Sequence, residues 1–340
     1  MSFHVLLARP RGFCRGVENA IRIVEIALEL VGPPLYVKHA IVHNRFVIEG
    51  FERRGVVFVE KVEEIPEGSI AVFSAHGSPP EDYEKARQRG IDVIDATCKL
   101  VTNVHNWAKR FARKGYSVVV IGHRDHPEPR GILGNIPPEQ RFLIETVEEA
   151  QTLEVPDPER VACVTQTTLS VDDTREIREA LRRRFPAMEE PPMGNSTICY
   201  ATDNRQRAVK ELARRCEVVI VVGSEQSSNT TRLWEIAQKH GARAHRVDFA
   251  REIDPQWLKG VRAVGVTSGA SAPEPLVREV VDKLKELGAE RVEELTAVEE
   301  NVKAFSLPPR LVELARERGR PLDLSLDLAP LGACDTQAAV

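Results

Sequence analysis

Short β-branched apolar runs alternate along the chain with longer stretches whose apolar positions recur every three or four residues. Residues 5–8, 35–37, 56–59, 70–73, 118–121, 161–164, 218–222 and 263–266 read as strands. Helices are predicted to follow Gly16, Thr97, Ser170, Thr202, Thr230 and Pro273. After Gly16, for example, Val17, Ala20, Ile21, Val24, Ala27, Leu28 and Val31 form one buried stripe. Such alternation predicts an α/β fold with largely parallel sheets. Past Pro308 the pattern fades. Residues 311–318 read as a short helix, and 325–340 as a mobile tail.

A repeat emerges when the pattern is anchored on three cysteines. Cys14, Cys98 and Cys199 each stand just before a predicted amphipathic helix, and a strand begins about twenty residues later. Polar residues then follow at matched offsets: His43 at 29, His126 at 28, Ser227 at 28 and Asn229 at 30. A second strand ends in another polar cluster, reaching His76 at 62, Thr167 at 69 and Ser271 at 72. The expected architecture is therefore three pseudo-threefold-related α/β lobes, a trefoil. The units are residues 14–97, 98–198 and 199–297, the last with segment 1–13, followed by a strap and tail over 298–340. Ligands of open α/β sheets sit beyond the carboxyl ends of strands. Three facing lobes would gather the cysteines and polar clusters around one central cavity.

Composition adds exclusions. The 340 residues are 42% hydrophobic and 29% charged, with a formal charge of −4, which rules out a low-complexity chain and offers no basic footprint for nucleic acid. The longest apolar runs are far shorter than the ~20 residues of a membrane span. Residues 1–10 lack the charged-then-apolar layout of a secretory leader. A cytoplasmic protein is expected, with neither membrane nor nucleic acid as partner. No G-x-G-x-x-G or Walker-type loop supports dinucleotide or nucleoside triphosphate chemistry.

The six cysteines include no C-x-x-C pair, which excludes zinc-finger and ferredoxin-type spacing. Cys163, inside a strand, and Cys216, on a helix stripe, read as ordinary small buried residues, and Cys334 receives no role. Cys14, Cys98 and Cys199 differ because a helix start stabilises a thiolate. Three thiolates from three lobes suit a metal centre. Three ligands to a four-iron cluster leave one iron open as a Lewis acid for a substrate oxygen. Zinc held by three cysteines and a histidine fits the spacing equally well.

His126-Pro127-Glu128, on a strand-end loop, can hand protons to a bound substrate; in isolation it would read as an exposed turn around Pro127. His123 is expected to orient that loop. Ser227, Ser228 and Asn229 form a polar run at a helix start, a ready anion site. Ser170-x-x-Asp173 and Ser78-x-x-Glu81 read as capping boxes, and Ser271 as a possible N-cap. An anion held by neutral and histidine donors, rather than by an arginine clamp, is the inference. Arg182-Arg183-Arg184 reads as a solvated helix face.

With these residues in view, the chain resembles the 4-hydroxy-3-methylbut-2-enyl diphosphate reductase family, iron–sulfur enzymes that end the non-mevalonate isoprenoid pathway. The resemblance rests on ordered segments from about residue 3 to 308. They include Pro10-Arg11-Gly12-Phe13-Cys14, Val42-His43-Asn44-Arg45, Ser74-Ala75-His76-Gly77, Asp95-Ala96-Thr97-Cys98, Thr165-Gln166-Thr167-Thr168, Ile198-Cys199-Tyr200 and Gly269-Ala270-Ser271-Ala272-Pro273. It implies a trefoil around a central 4Fe-4S cluster, with Cys14, Cys98 and Cys199 as its ligands. It further implies that His43, His76, Ser227, Asn229 and Ser271, with Ser228 beside them, hold a diphosphate. His126, Thr167 and Glu128 would surround the substrate's hydroxyl, with Glu128 tied to proton delivery. The implied reaction removes that hydroxyl as water, using two electrons and two protons, with ferredoxin or flavodoxin as donor. One departure is Pro129-Arg130 before Gly131, where the family more often has a small or acidic pair. Two other classes fit the residues alone: a zinc-dependent hydrolase of a phosphorylated metabolite with Glu128 as base, and a cluster-bearing redox sensor.

Overall fold

The computed structural model describes residues 2–192, 197–320 and 322; the expected tail and Cys334 lie outside them. Strand β1 (Phe3–Arg9) opens the chain. A first group comprises α1 (Arg15–Val31), β2 (Leu35–Lys38), α2 (Arg45–Arg53), β3 (Val56–Val59), β4 (Ile70–Phe73), α3 (Pro80–Gln88) and β5 (Asp92–Asp95). A second comprises α4 (Lys99–Arg113), β6 (Ser117–Ile121), α5 (Pro127–Leu133), β7 (Arg141–Ile144), α6 (Val147–Thr152), β8 (Val161–Thr165) and α7 (Val171–Arg184). The third comprises α8 (Tyr200–Arg215), β9 (Val218–Val222), α9 (Ser228–Lys239), β10 (Arg243–Val247), β11 (Ala263–Ser268), α10 (Glu274–Glu286) and β12 (Ala289–Thr296), and α11 (Pro309–Glu317) follows.

Among the described residues these strands form three separate sheets, ordered β3-β2-β4-β5, β7-β6-β8 and β10-β9-β11-β1-β12, and every pairing is parallel. Each contains the same three-strand unit, in which the first strand after the leading helix lies between the next two. The flank beyond that unit varies. β5 lies beside β4 and β1 beside β11, whereas β8 has there only the isolated bridge between Ala162 and Glu189. This is the expected α/β trefoil, with three sheets and three lobes.

The apolar runs explain the sheets. Every residue of β6, β8, β9 and β11 is buried, because helices cover both faces, as parallel sheets require. The core is correspondingly divided into a layer on each side of each sheet. The strands outside the sequence reading, β5, β7, β10 and β12, all lie at sheet edges. β10 carries Arg243 and Arg246, and β12 carries Glu290, Arg291, Glu293 and Glu294, the charges that protect an exposed sheet edge. After β12 the chain returns to the first lobe, where Leu307, Leu311, Leu314 and Ala315 join the core beside α1. Arg310 anchors this strap through paired hydrogen bonds to Asp92 at 2.6–2.9 Å. Among the described residues no helix is long and apolar enough to cross a membrane.

Candidate functional site

Cys14, Cys98 and Cys199 are the N-cap residues of α1, α4 and α8. Their backbone amides close a ring around the molecule. Cys98 N–H donates to Ala75 O at 3.0 Å, Cys199 N–H to Thr167 O at 3.1 Å, and Cys14 N–H to Ala270 O at 3.1 Å. Each acceptor lies two residues past the end of β4, β8 or β11. Each lobe's strand-end loop therefore positions the next lobe's cysteine, and the pseudo-threefold relation is written in hydrogen bonds.

All twelve side chains singled out in the sequence line a single cavity of about 110 Å³. Three features make the cysteine end fit a metal cluster. Gly16 supplies space, since a Cβ there would lie 2.7 Å from Cys98 Sγ and 3.7 Å from Cys14 Sγ. Arg205, fully buried, donates to Gly12 O at 2.8 Å and to Glu300 Oε1 at 3.2 Å, placing a cation behind the Cys14 loop. Cys199 caps α8, its Sγ accepting the Thr202 amide at 3.4 Å and lying 3.1 Å from the Thr202 hydroxyl. The expected thiolate stabilisation by helix starts is outweighed in the protein alone. Burial pushes the Cys14 thiol up, Cys98 to about 12 and Cys199 to about 11; the neighbouring Cys14 adds to the rise at Cys98 and Cys199, Arg205 opposes it at Cys14, and the amides offset it only in part. A bound cation would supply the missing compensation. Ligands of a tetrahedral zinc–thiolate stand about 3.8 Å apart. Among the described residues, the only three candidate ligands within 4.8 Å of one another are histidines, so the cysteines are set wider than a single ion requires.

In the same cavity, Glu128 is 2% exposed. Its Oε1 accepts the Thr167 amide at 2.7 Å and its Oε2 the Thr167 hydroxyl at 3.0 Å. Burial pushes the carboxyl up to about 7, and the two Thr167 hydrogen bonds only moderate the rise. The segment read as a strand-end loop instead opens α5. His126 is its N-cap and accepts the Glu128 amide on Nδ1 at 3.1 Å, while Pro127 takes the first helical position. The family departure is accommodated here: Pro129 packs over Gly122, where a Cβ would lie 2.6 Å from its ring. His123 does orient the loop, through Glu145 at 3.2 Å and Gln166 at 3.0 Å.

The remaining wall is polar. Ser227 caps α9, accepting the Thr230 amide, and Ser228 and Asn229 form that helix's first turn. Asn229 is buried, with neither Oδ1 nor Nδ2 hydrogen-bonded, and His43 Nε2 is likewise buried and unpartnered. Burial lowers the His43 imidazole to about 4 and His126 to about 3, and holds His76 well below its usual range. Two capping expectations are corrected. Ser271 caps nothing: its hydroxyl donates to His43 O at 3.0 Å and lies 3.4 Å from Ser227 Oγ, tying two lobes together. Ser78 does not cap α3, whose N-cap is Pro79; it accepts from Lys38 Nζ at 3.2 Å. Ser170 does cap α7, accepting the Asp173 amide. Sequence reasoning missed Thr168 and Gln166, which hydrogen-bond Ser228, and His39, whose ring stands 5.5 Å from His43 and 5.3 Å from His76.

Residues 5–285 match the family described as LytB protein. The chain is 53% identical over 322 residues to a 4-hydroxy-3-methylbut-2-enyl diphosphate reductase of Acidothermus cellulolyticus, covering 94% of each chain. It is 51% identical over 304 residues to 4-hydroxy-3-methylbut-2-enyl diphosphate reductase 2 of Burkholderia mallei, covering 89% of this chain and 92% of that protein. Among solved structures it resembles the E-1-hydroxy-2-methyl-but-2-enyl-4-diphosphate reductase of Plasmodium falciparum, with TM-score 0.90 and 36% identity over 94% of this chain and 100% of that one. A second is described as the terminal enzyme of the non-mevalonate pathway, with TM-score 0.59 and 33% identity over 84% of this chain and 99% of that one.

Proposed function

Because the chain belongs to the LytB family, we propose that it catalyses the reductive dehydroxylation of (E)-4-hydroxy-3-methylbut-2-enyl diphosphate to isopentenyl and dimethylallyl diphosphates. The observation that carries this reading is one cavity holding three N-cap cysteines, a carboxyl raised to about 7, and buried polar atoms awaiting partners. Cys14, Cys98 and Cys199 would hold a 4Fe-4S cluster, which when bound supplies single electrons and a Lewis-acidic iron. Asn229, Ser227, Ser228, Ser271, His43 and His76 receive the diphosphate. An entering anion offsets the burial that keeps the imidazoles neutral, so they take up protons as it docks. The substrate's allylic end is thereby directed toward Glu128, His126 and Thr167.

Replacing the hydroxyl by hydrogen consumes two electrons and two protons: the C–O bond breaks, one proton leaves in water, and the other forms a C–H bond at either end of the allylic system, giving the two products. Glu128, poised near neutrality, donates a proton to the departing oxygen, and Thr167 holds the resulting carboxylate through its amide and hydroxyl. The cavity walls keep bulk water from the reduced allylic intermediate. Residues 14–97, 98–198 and 199–297 with 1–13 act as the three lobes. A ferredoxin or flavodoxin serves as one-electron donor, and the site of action is the cytoplasm. The test is anaerobic preparation and reconstitution with iron and sulfide, followed by substrate and an artificial one-electron reductant. About four iron and four sulfide per chain, with conversion to both products, are expected. A fully loaded protein that leaves the substrate unchanged overturns the proposal. A colourless zinc protein active without reductant would instead identify a hydrolase.

A further inference from the structure

His39 lies one residue past β2, at a left-handed φ of 61°, and at the offset from Cys14 that His123 has from Cys98. Its Nδ1 is 2.8 Å from Glu60 Oε2. That pairing draws the ring proton to Nδ1 and leaves the Nε2 lone pair free. Nε2 of His39 is buried without a partner, as is Nε2 of His43. Ligating nitrogens of His39, His43 and His76 all lie within 4.8 Å of one another. His39 faces a second, polar cavity of about 300 Å³, while His43 and His76 face the first, so the three rings stand in the wall between the two.

We propose that His39, His43 and His76 form a binding site for one divalent transition-metal ion of the zinc class, and that this ion excludes the substrate's diphosphate. Neutral imidazoles are the ligating form, and an all-nitrogen site selects zinc, nickel or copper over magnesium and calcium, which require oxygen donors. Nitrogen ligands at about 2.0–2.1 Å stand about 3.4 Å apart, so small side-chain rotations close the triangle. Glu60 completes the arrangement typical of metal-binding histidines, a carboxylate fixing the far ring nitrogen and raising the basicity of the near one. The metal site stands on this geometry alone. Competition with substrate rests on the assignment of His43 and His76 to the diphosphate made above.

The test uses cluster-loaded protein, with iron and sulfide counted before and after exposure to zinc at free concentrations set by a chelator buffer. One zinc per chain is expected with no loss of iron. His39→Ala should weaken binding at least 10-fold. Glu60→Gln, at a largely exposed side chain that folding does not need, should weaken it 10- to 100-fold. Zinc should raise the apparent KM for substrate without changing kcat, and both variants should relieve that inhibition. Unchanged zinc affinity in the two variants, or zinc uptake matched by iron loss, overturns the site. His39-dependent binding that inhibits without raising KM leaves the metal site standing and overturns the placement of the diphosphate on His43 and His76.

Discussion

Replacing Glu128 by Gln separates its electrostatic cost from its chemical use. The carboxyl is fully desolvated, and its value near 7 stands about 2.5 above the ordinary 4.5. At about 1.36 kcal/mol per unit this corresponds to about 3 kcal/mol. The sign follows from proton counting. Between pH 4.5 and 7 the folded protein keeps a proton that the unfolded chain has lost, so stability falls as pH rises through that window and stays lower above it. Gln carries no charge and escapes this fall, while its amide oxygen can still accept the Thr167 N–H. Urea unfolding of cluster-free protein at pH 5 and pH 8 should therefore show wild type losing about 2.5 kcal/mol more than E128Q. With the cluster loaded, the variant should keep its iron and sulfide but lose about 10²- to 10⁴-fold in kcat, because Gln holds no transferable proton. The fall in wild-type kcat above about pH 7 should vanish from the variant's residual rate. Parallel stability profiles for the two proteins, or a variant that turns over within a few-fold of wild type, would refute the reasoning.

Gly16→Ala places a methyl 2.7 Å from Cys98 Sγ, about 1 Å short of van der Waals contact, where metal ligation tolerates about 0.2 Å; reconstituted iron should fall by more than half while circular dichroism stays unchanged. Asn229→Ala removes two buried, unpartnered polar atoms, so the unliganded protein should be no less stable in urea. Its KM should nevertheless rise about 10- to 100-fold, from the loss of a hydrogen bond to a charged ligand. Arg205→Met strips the Gly12 carbonyl of its donor and leaves Glu300 with only the Asn204 amide in place of a cation, which should cost about 3–5 kcal/mol in denaturant unfolding and lower iron retention through Cys14.

The sequence was most legible where burial is two-sided or a chain feature repeats. β9 announces itself as Val218–Val222 because both faces are covered, and the cysteines stand out because each opens a helix. β10 and β12 were unreadable because edge positions substitute charge for apolar pattern. The serines at 78 and 271 have the local spelling of a cap, yet their partners come from residues distant in sequence, Lys38 and His43, which no local rule can supply. His39 was passed over for a related reason: its counterpart at the same offset from Cys98 is His123, which pairs with Glu145 as His39 pairs with Glu60, and only the turn after β2 brings His39 to His43 and His76. The direction of the thiol shifts was also beyond reach, since helix starts can be read from sequence and depth of burial cannot.

The placement of β1 between β11 and β12 sets a schedule for biosynthesis. The first strand to leave the ribosome pairs with strands that emerge more than 250 residues later, a delay of about 15–60 s at ordinary elongation rates. The first two sheets can form during that interval, because neither borrows from the third. Cys14 can be set in place only once Ala270 has arrived to accept its amide. Assembly of the metal centre is thus deferred until the nascent chain is nearly complete, and a truncated product would lack both the strap that closes the first lobe's core and a finished ligand set.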